Sequence, residues 1–546
     1  MKKMIYSIAI ALSAVTLTGC SDDKFEGDVA KDWAATTEFF NSTEENGYST
    51  YYTPAIGRVG DPMPFYDEKA GEYKVLYLQE FNNNAPFRYH PIWTVATKDG
   101  ANYHSLGETL GVGSSDFQQD AALGTGCCYY NKQDGLYYIY YTGHNPNCEN
   151  TEVVLRATSP DYKTWTRDIS WSLKGADYNL SKNDFRDPQI FEDNGVYHMV
   201  IATRQGDPKF ADFTSTDMKN WEFAGSFNAV WDRMCECPDI FKMGDWWYFI
   251  YSEGYQTTWS RKVKYMMADS FEGLKACFGN PGANWPKDGH EGILDSRAFY
   301  AGKTASNGSE RLIWGWCPFR SGANVWEKNI NVGEKEPNWS GALVCHKIIQ
   351  HADGTLTLGK VDAIDAKYTN AQDVKVVANN GYTGSATSFK LSGDNAFAQF
   401  ARLGNHNKIS FTVKADMQGV DNDKRKLFGI SFVRGGDSKK YYTIVVNREG
   451  DITDNPETNL ILRKINFEEE GAEGKGFIEG IDGYLFTRPA NDIYNVTIYT
   501  DNSVLTMYIN DVCAYTQRIY GMAKNCWSIN NYGVNIDVTD LTVSQY

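Results

Sequence analysis

The stretch Asn183-Asp184-Phe185-Arg186-Asp187-Pro188-Gln189-Ile190-Phe191 leads, after a short polar turn, into Gly195-Val196-Tyr197-His198-Met199-Val200-Ile201. An acid heads an apolar segment, a turn follows, and a β-branched and aromatic run begins. That is the grammar of a hairpin between two buried strands. It recurs twice. Asp61-Pro62-Met63-Pro64-Phe65 precedes Gly71-Glu72-Tyr73-Lys74-Val75-Leu76-Tyr77, and Glu236-Cys237-Pro238-Asp239-Ile240-Phe241 precedes Gly244-Asp245-Trp246-Trp247-Tyr248-Phe249-Ile250. Asp61, Asp187 and Glu236 stand 10, 8 and 8 residues before their glycines. Three carboxylates therefore take nearly the same place in three copies of one structural unit.

From about residue 45 to 358 the chain is made of turn-punctuated short strands, with no long helical period. Strand runs begin near Gly71, Gly135, Gly195, Gly244 and Ser309, at intervals of 49 to 65 residues. A second pattern follows several of them: Thr97-Lys98-Asp99 with Tyr103, Ser159-Pro160-Asp161 with Trp165, and Ser215-Thr216-Asp217 with Trp221. An Asp that opens a turn and a ring that plugs the next strand mark a repeated antiparallel unit. Met267-Ala268-Asp269-Ser270 reads as a degenerate fourth copy. Five copies with room for four strands each predict a five-bladed β-propeller over 45–358. Its innermost strands fall around Asp61, Gly124-Thr125-Gly126, Asp187, Glu236 and Asp295-Ser296-Arg297. Such strands line one central funnel, so acids distant in sequence should converge there. Residues 359–390, rich in Ala, Asn, Thr and Gly, read as a linker. Strong alternation over 391–546 predicts a C-terminal β-sandwich, with a solvated acidic insertion at 468–473. The fold class is all-β.

A chain of 546 residues exceeds one ordinary core and calls for at least two domains. Its net charge of −16 excludes a nucleic-acid partner, which demands a basic footprint. A neutral saccharide is compatible, and 35 Tyr, 28 Phe and 15 Trp leave rings for stacking on sugars. Lys2-Lys3, the apolar run Met4 to Thr18, and Leu17-Thr18-Gly19-Cys20 resemble a bacterial lipoprotein signal. They predict a signal peptide over 1–20, a lipidated Cys20 and a tether over 21–44. Ser21-Asp22-Asp23-Lys24 resembles the surface-export signals of Bacteroidetes lipoproteins. The implied location is the cell envelope, at the outer-membrane surface, with the lipid as sole membrane attachment. The other ten cysteines fit no zinc spacing and read as buried thiols. No metal or other cofactor is expected, and a monomer is.

Paired carboxylates are the equipment of glycoside hydrolysis, one ionised as nucleophile or base, the other protonated as general acid. Glu236, between Cys235 and Cys237 and beside Pro238, has poorly solvating neighbours that raise a carboxyl pKa and suit the acid. Asp187 adjoins Arg186, whose charge favours the ionised form and whose fork could hold a sugar hydroxyl or fix the carboxylate.

Arg186-Asp187-Pro188 together with Glu236-Cys237-Pro238-Asp239 resembles glycoside hydrolase family 32, the levanases, inulinases and invertases. Arg311-Leu312-Ile313-Trp314-Gly315-Trp316 and Trp339-Ser340-Gly341-Ala342-Leu343 resemble its late propeller segments, and Val504 to Tyr520 its sandwich. The resemblance covers nearly the whole mature chain. It implies a propeller and sandwich that cleave β-fructofuranosides with retention. It also implies Asp61 as nucleophile, Asp187 as transition-state stabiliser, Glu236 as acid/base and Gln79 as a subsite residue. Arg186, Trp93, Thr125 and Trp314 are the further candidate substrate contacts. The family's first motif, Trp-Met-Asn-Asp-Pro-Asn-Gly, survives only as Asp61-Pro62, and Gly60 replaces its sugar-binding Asn. Its Trp-Gly-His segment becomes His90-Pro91-Ile92-Trp93. These departures keep two other readings open beside a fructan hydrolase: an inverting arabinan- or xylan-directed propeller enzyme, and a surface glycan binder without turnover.

Overall fold

The computed structural model describes residues 50–546 except 56, 81–88, 205–207, 230–234, 254–261, 280–291, 319–338, 421–425, 433–439, 449–459, 467–476, 485, 512 and 520–521. Cys20, the 21–44 tether and the acidic insertion at 468–473 lie outside the described residues.

Tight turns fold the first part into antiparallel hairpins, and the hairpins stack into five blades. Blade one holds β1 (Arg58–Asp67), β2 (Glu72–Glu80), β3 (Ile92–Thr97) and β4 (Tyr103–Leu110). Blade two holds β5 (Ala122–Asn131), β6 (Leu136–His144), β7 (Glu152–Ser159) and β8 (Thr166–Arg167). Blade three holds β9 (Phe185–Asp193), β10 (Val196–Thr203), β11 (Pro208–Ser215) and β12 (Glu222–Asn228). Blade four holds β13 (Cys235–Met243), β14 (Trp246–Glu253) and β15 (Lys262–Ala268), and Ile293 bridges Lys264 where a fourth strand would stand. Blade five holds β16 (Tyr300–Ser306), β17 (Arg311–Pro318), β18 (Gly341–Gln350) and β19 (Leu356–Gly359). The circle closes where Val59 pairs with Gly341 and Tyr52 bridges Leu343. The innermost strands β1, β5, β9, β13 and β16 neighbour one another around the axis.

The repeated turn signal has the physics its residues suggest. Asp99, Asp161 and Asp217 each accept, at Oδ1, the backbone N–H groups two and three residues on, at 2.7–2.9 Å. Each turn joins the third strand of a blade to the fourth. The degenerate copy at Asp269-Ser270 instead opens a helix, α1 (Phe271–Gly279), where Ser270 Oγ accepts from Gly273 N at 3.1 Å.

Each inner strand breaks register at the same level. The breaks lie between Gly60 and Met63, Gly124 and Gly126, Arg186 and Gln189, Glu236 and Asp239, and Tyr300 and Lys303. Four place a non-glycine residue at positive φ: Asp61 (22°), Asp187 (59°), Cys237 (51°) and Ala301 (54°). The next residue is Pro62, Pro188, Pro238 or Gly302. A proline suits a bulge because it has no N–H to leave unpaired. In β5 the extra residue is Thr125, and the position after it admits only glycine, since a Cβ on Gly126 would lie 1.9 Å from the carbonyl oxygen of Tyr140.

This register corrects the sequence alignment of the three acids. Cys237, not Glu236, is the structural equivalent of Asp61 and Asp187, and Glu236 stands where Arg186 does. The equal 8-residue offsets arise from different turns. Asn194 and Gly195 are both at positive φ (51° and 82°) between paired Asp193 and Val196, whereas Gly244 (59°) comes first between paired Met243 and Trp246.

The chain beyond the propeller forms a sheet of eight strands and a sheet of seven, packed face to face over a core including Ile409, Phe411, Ile430, Ile444, Ile498 and Trp527. The stretch expected as a linker contributes to it. Asn370–Gln372, Val376–Asn380 and Ser388–Leu391 pair with the strands Ile536–Gln545 and Phe397–Phe400. Small and polar residues there reflect short edge strands.

Asp295-Ser296-Arg297 is also corrected: it is not the innermost strand of blade five, a place held by β16. Fully buried Asp295 accepts from Thr516 N (2.8 Å) and Thr516 Oγ1 (2.5 Å) of the sandwich and lies 3.2 Å from His346 Nε2. It is a rivet between the domains. Asp295→Ala leaves the Thr516 N–H without its acceptor in a dry interface, so it should lower the thermal unfolding midpoint, at a cost of about 1–3 kcal/mol, read by calorimetry against exposed Lys98→Ala as a surface control.

Candidate active site

The register breaks bring Asp61, Thr125, Asp187, Glu236 and Tyr300 together at one mouth, whereas Cys237 and Ala301 turn into a small core with Trp316. Asp61 arrives on β1. Its Oδ1 accepts from Trp316 Nε1 (2.8 Å) on β17, and its Oδ2 from the Thr125 hydroxyl (2.9 Å) on β5. Neutral donors from two blades thus fix the rotation of this carboxylate. Asp187, buried on β9, accepts at Oδ2 from the N–H of Cys237 (2.9 Å), while its own N–H donates to Thr142 Oγ1 (3.0 Å). Glu236, on β13, accepts from Arg186 Nη2 (3.1 Å) at Oε1 and from the Tyr300 hydroxyl (2.9 Å) at Oε2. Every blade shares a hydrogen bond with another at this level.

Arg186 is the cation of the mouth. Besides Glu236, it donates to Glu152 Oε2 (3.0 Å) and Asp184 Oδ1 (2.8 Å). Burial works against its charge, but Glu152, Glu236 and Asp187 raise its pKa well above the ordinary value. Burial also dominates at Glu236, whose pKa rises to about 7; Arg186 opposes the rise, and Asp187 and Asp61 add to it. Burial raises the Asp187 pKa as well, with Arg186 opposing and Asp61 reinforcing. Arg186 is the charge that the sequence sets beside Asp187, and desolvation outweighs it. Glu152 goes the other way: burial is overcome by His144, Arg186 and the Phe185 N–H, which lower its pKa. The mouth therefore holds a carboxyl that keeps its proton up to about neutral pH beside a carboxylate gripped by two donors. That is the division of labour acetal cleavage needs.

The other expected contacts divide. Arg186 and Thr125 are at the mouth, each bonded to one of the acids. Trp314 is corrected to core: it is fully buried, donates to the Tyr103 hydroxyl at 3.0 Å and packs on Tyr73. Trp316 shares its face of β17 one pleat nearer the mouth, opposite Tyr300, and it is the indole that reaches Asp61. Gln79 is buried on β2 with its amide against Gly57, where a Cβ would lie 2.2 Å away. Trp93 is half-buried on the third strand of blade one, opposite Tyr77, and packs on the main core. Tyr300, Thr142 and Glu152 had no sequence signal beyond their strands. Gly60 acquires a reason: a Cβ there would lie 2.2 Å from Trp339 Cη2. The Trp339 ring stacks on His90 at 4.3 Å, so an indole occupies the space beside Asp61 that an asparagine side chain would need.

Residues 51–359 match the glycosyl hydrolases family 32 N-terminal domain, and residues 354–543 the GH32, BT1760-like, C-terminal domain. The chain belongs to glycoside hydrolase family 32. It is a glycosidase of the β-fructofuranosidase type. It is similar to the sucrose-6-phosphate hydrolase of Staphylococcus xylosus, at 24% identity over 353 residues that cover 63% of this chain and 67% of that protein. It is also similar to the levanase of Bacillus subtilis, at 27% identity over 274 residues, 44% of this chain and 34% of the levanase. The fold is that of the exo-inulinase from Aspergillus awamori, with a TM-score of 0.65 at 15% identity over 92% of this chain and 98% of that one.

Within this family 32 enzyme the Tyr300 hydroxyl favours the ionised form of Glu236, so removing it raises the Glu236 pKa further. Tyr300→Phe should move the alkaline limb of kcat/KM for β-fructofuranoside hydrolysis to higher pH than wild type, while costing about tenfold or less at acidic pH. An unmoved limb would dissociate Glu236 from that ionisation.

Proposed function

We propose that the protein is a retaining β-fructofuranosidase that hydrolyses fructans, with Asp61 as nucleophile, Asp187 as transition-state stabiliser and Glu236 as acid/base. The observation that carries the reading is the pairing at one mouth of Glu236, its pKa raised to about 7, with Asp61 held by Trp316 and Thr125. In the first step an Asp61 oxygen attacks the anomeric carbon as the bond to the leaving oxygen breaks. The Glu236 proton passes to that oxygen. A fructosyl-aspartate ester and a free alcohol result. In the second step water attacks the same carbon, Glu236 takes its proton and Asp61 leaves as carboxylate, so two inversions give retention. Asp187 would hold ring hydroxyls as positive charge builds on the ring. Because Glu236 must be protonated to begin, activity should fall as pH rises through about 7.

The substrate class rests on three supports. The names levanase and exo-inulinase belong to similar proteins. Arg186 is already engaged by Glu152, Asp184 and Glu236, so it is poorly placed to receive a sugar phosphate, and a neutral oligosaccharide fits the mouth better. The stacked His90–Trp339 pair offers an apolar wall for a furanose face. Purified protein should release fructose or fructo-oligosaccharides from levan or inulin, with the β-anomer detected first by NMR. Glu236→Gln should lower kcat about 10²–10⁴-fold, and Asp61→Asn should abolish turnover while leaving the fold intact. Binding without any sugar release by wild type would favour the silent glycan binder, and first release of the inverted anomer the single-displacement enzyme.

We also propose that Cys20 carries a lipid that holds the enzyme at the outer-membrane surface, where polymeric fructan is reached before import. Lys2-Lys3, the apolar run to Thr18 and Leu17-Thr18-Gly19-Cys20 support this. Cys20→Ala should shift the protein from the detergent-soluble membrane fraction to the aqueous one, scored by immunoblot, and an unchanged partition would refute the anchor.

A further inference from the structure

One buried ionisable group near the mouth has no part in the two steps above. Lys303 follows the register break of β16 and is 2% exposed. Its Nζ donates to the carbonyl of Gly126 on β5 (3.0 Å) and to Gln189 Oε1 on β9 (3.4 Å). Both acceptors are neutral. Gly126 follows Thr125, which holds Asp61, and Gln189 lies two residues beyond Asp187. Asp239, a further acid of this layer, also feels the Lys303 charge but takes its hydrogen bonds elsewhere: its Oδ2 accepts from Thr304 N (2.8 Å) and Thr304 Oγ1 (2.6 Å), and its Oδ1 from Gln189 Nε2 (3.4 Å). A lysine stripped of water and satisfied by neutral oxygens keeps its field for its surroundings.

We propose that Lys303 is a positioning residue for the reaction: a fixed positive charge beneath the mouth that ties β5, β9 and β16 together and keeps Asp187 ionised for the cationic transition state. The inference rests on the role of Asp187 in the proposed function. The groups facing Asp187 are Asp61 from β1, Arg186 on its own strand, Glu236 and Cys237 from β13, and Lys303 from β16. Burial pushes the Asp187 pKa up and Asp61 adds to it, whereas Arg186 and then Lys303 pull it down. The sign follows. Without the Lys303 charge the Asp187 pKa rises further, and its ionised form is lost at a higher pH as pH falls.

A neutral residue that can still donate hydrogen bonds separates the field from the tie. Lys303→Gln should move the acid limb of kcat/KM for fructan or sucrose hydrolysis to higher pH, with a loss on the order of tenfold on the acid side of the wild-type optimum and much less at the optimum. Lys303→Arg, which keeps the charge, should retain the wild-type limb. A folded Lys303→Gln enzyme with an unmoved acid limb overturns the proposal. So does Lys303→Gln and Lys303→Met both failing to fold, by circular dichroism and melting, while Lys303→Arg folds, since Lys303 would then be purely structural. An inactive wild type would instead overturn the proposed function.

Discussion

The structure depends on a backbone constraint: five inner strands must leave regular β-pairing at one height. A regular strand sends alternate side chains into the neighbouring blades, and none along the axis. A bulge re-aims the residue at the break and ends the ladder there. Non-glycine residues at positive φ cost roughly 1–2 kcal/mol each, and the inner strands bear that cost at Asp61, Asp187, Cys237 and Ala301. The hairpins behind them, packed through Tyr, Phe and Trp, are what make the strained positions permanent.

Because the breaks are equivalent, what stands at each sets the electrostatics of the mouth. Two blades put an aspartate at the strained position. Blade four puts Cys237 there and shifts its acid back by one, so Glu236 takes the place that Arg186 holds in blade three. Equivalent positions of adjacent strands then face each other, and the 3.1 Å contact between Arg186 and Glu236 follows from the register. The Cys237 N–H is left to donate to Asp187. One shifted residue thus joins two catalytic candidates and separates their chemistry. Glu236 is desolvated next to two like charges, and a single arginine shared among Glu152, Asp184 and Glu236 does not cancel that.

Much of this was legible in the chain. The fivefold beat, the turn aspartates and the Asp-Pro heads are local signals, and each has a local cause: an Asx turn in one case and a missing N–H at a bulge in the other. What failed was what needs phase or distance. Hairpin turns with one glycine can carry it at either central position, so equal offsets aligned Glu236 with the wrong neighbours. Trp314 and Trp316 lie on the same face of one strand and are both fully buried, and only depth along the tunnel decides which indole reaches Asp61. Asp295 meets Thr516 across 221 residues of sequence, a pairing that no window of a few residues contains. The supposed linker is polar because its strands are short and marginal, which composition cannot separate from a loop.

Among the described residues the sandwich contributes none of the acids at the mouth, yet it reaches the site through Arg518. Arg518, 1% exposed, donates from Nε to the carbonyl of Pro318 (2.5 Å) and from Nη2 to that of Cys317 (3.1 Å), and its Nη1 holds Ser503 Oγ (2.9 Å). Cys317 and Pro318 end β17 and directly follow Trp316, the donor to Asp61. A strand end at a propeller mouth has unpaired carbonyls and would fray. Here a guanidinium from the second domain takes those carbonyls, and the Asp295–Thr516 rivet pins the same sandwich strand two residues earlier. The indole that orients Asp61 is therefore anchored by the second domain, which gives a physical reason for the two domains to occur in one chain.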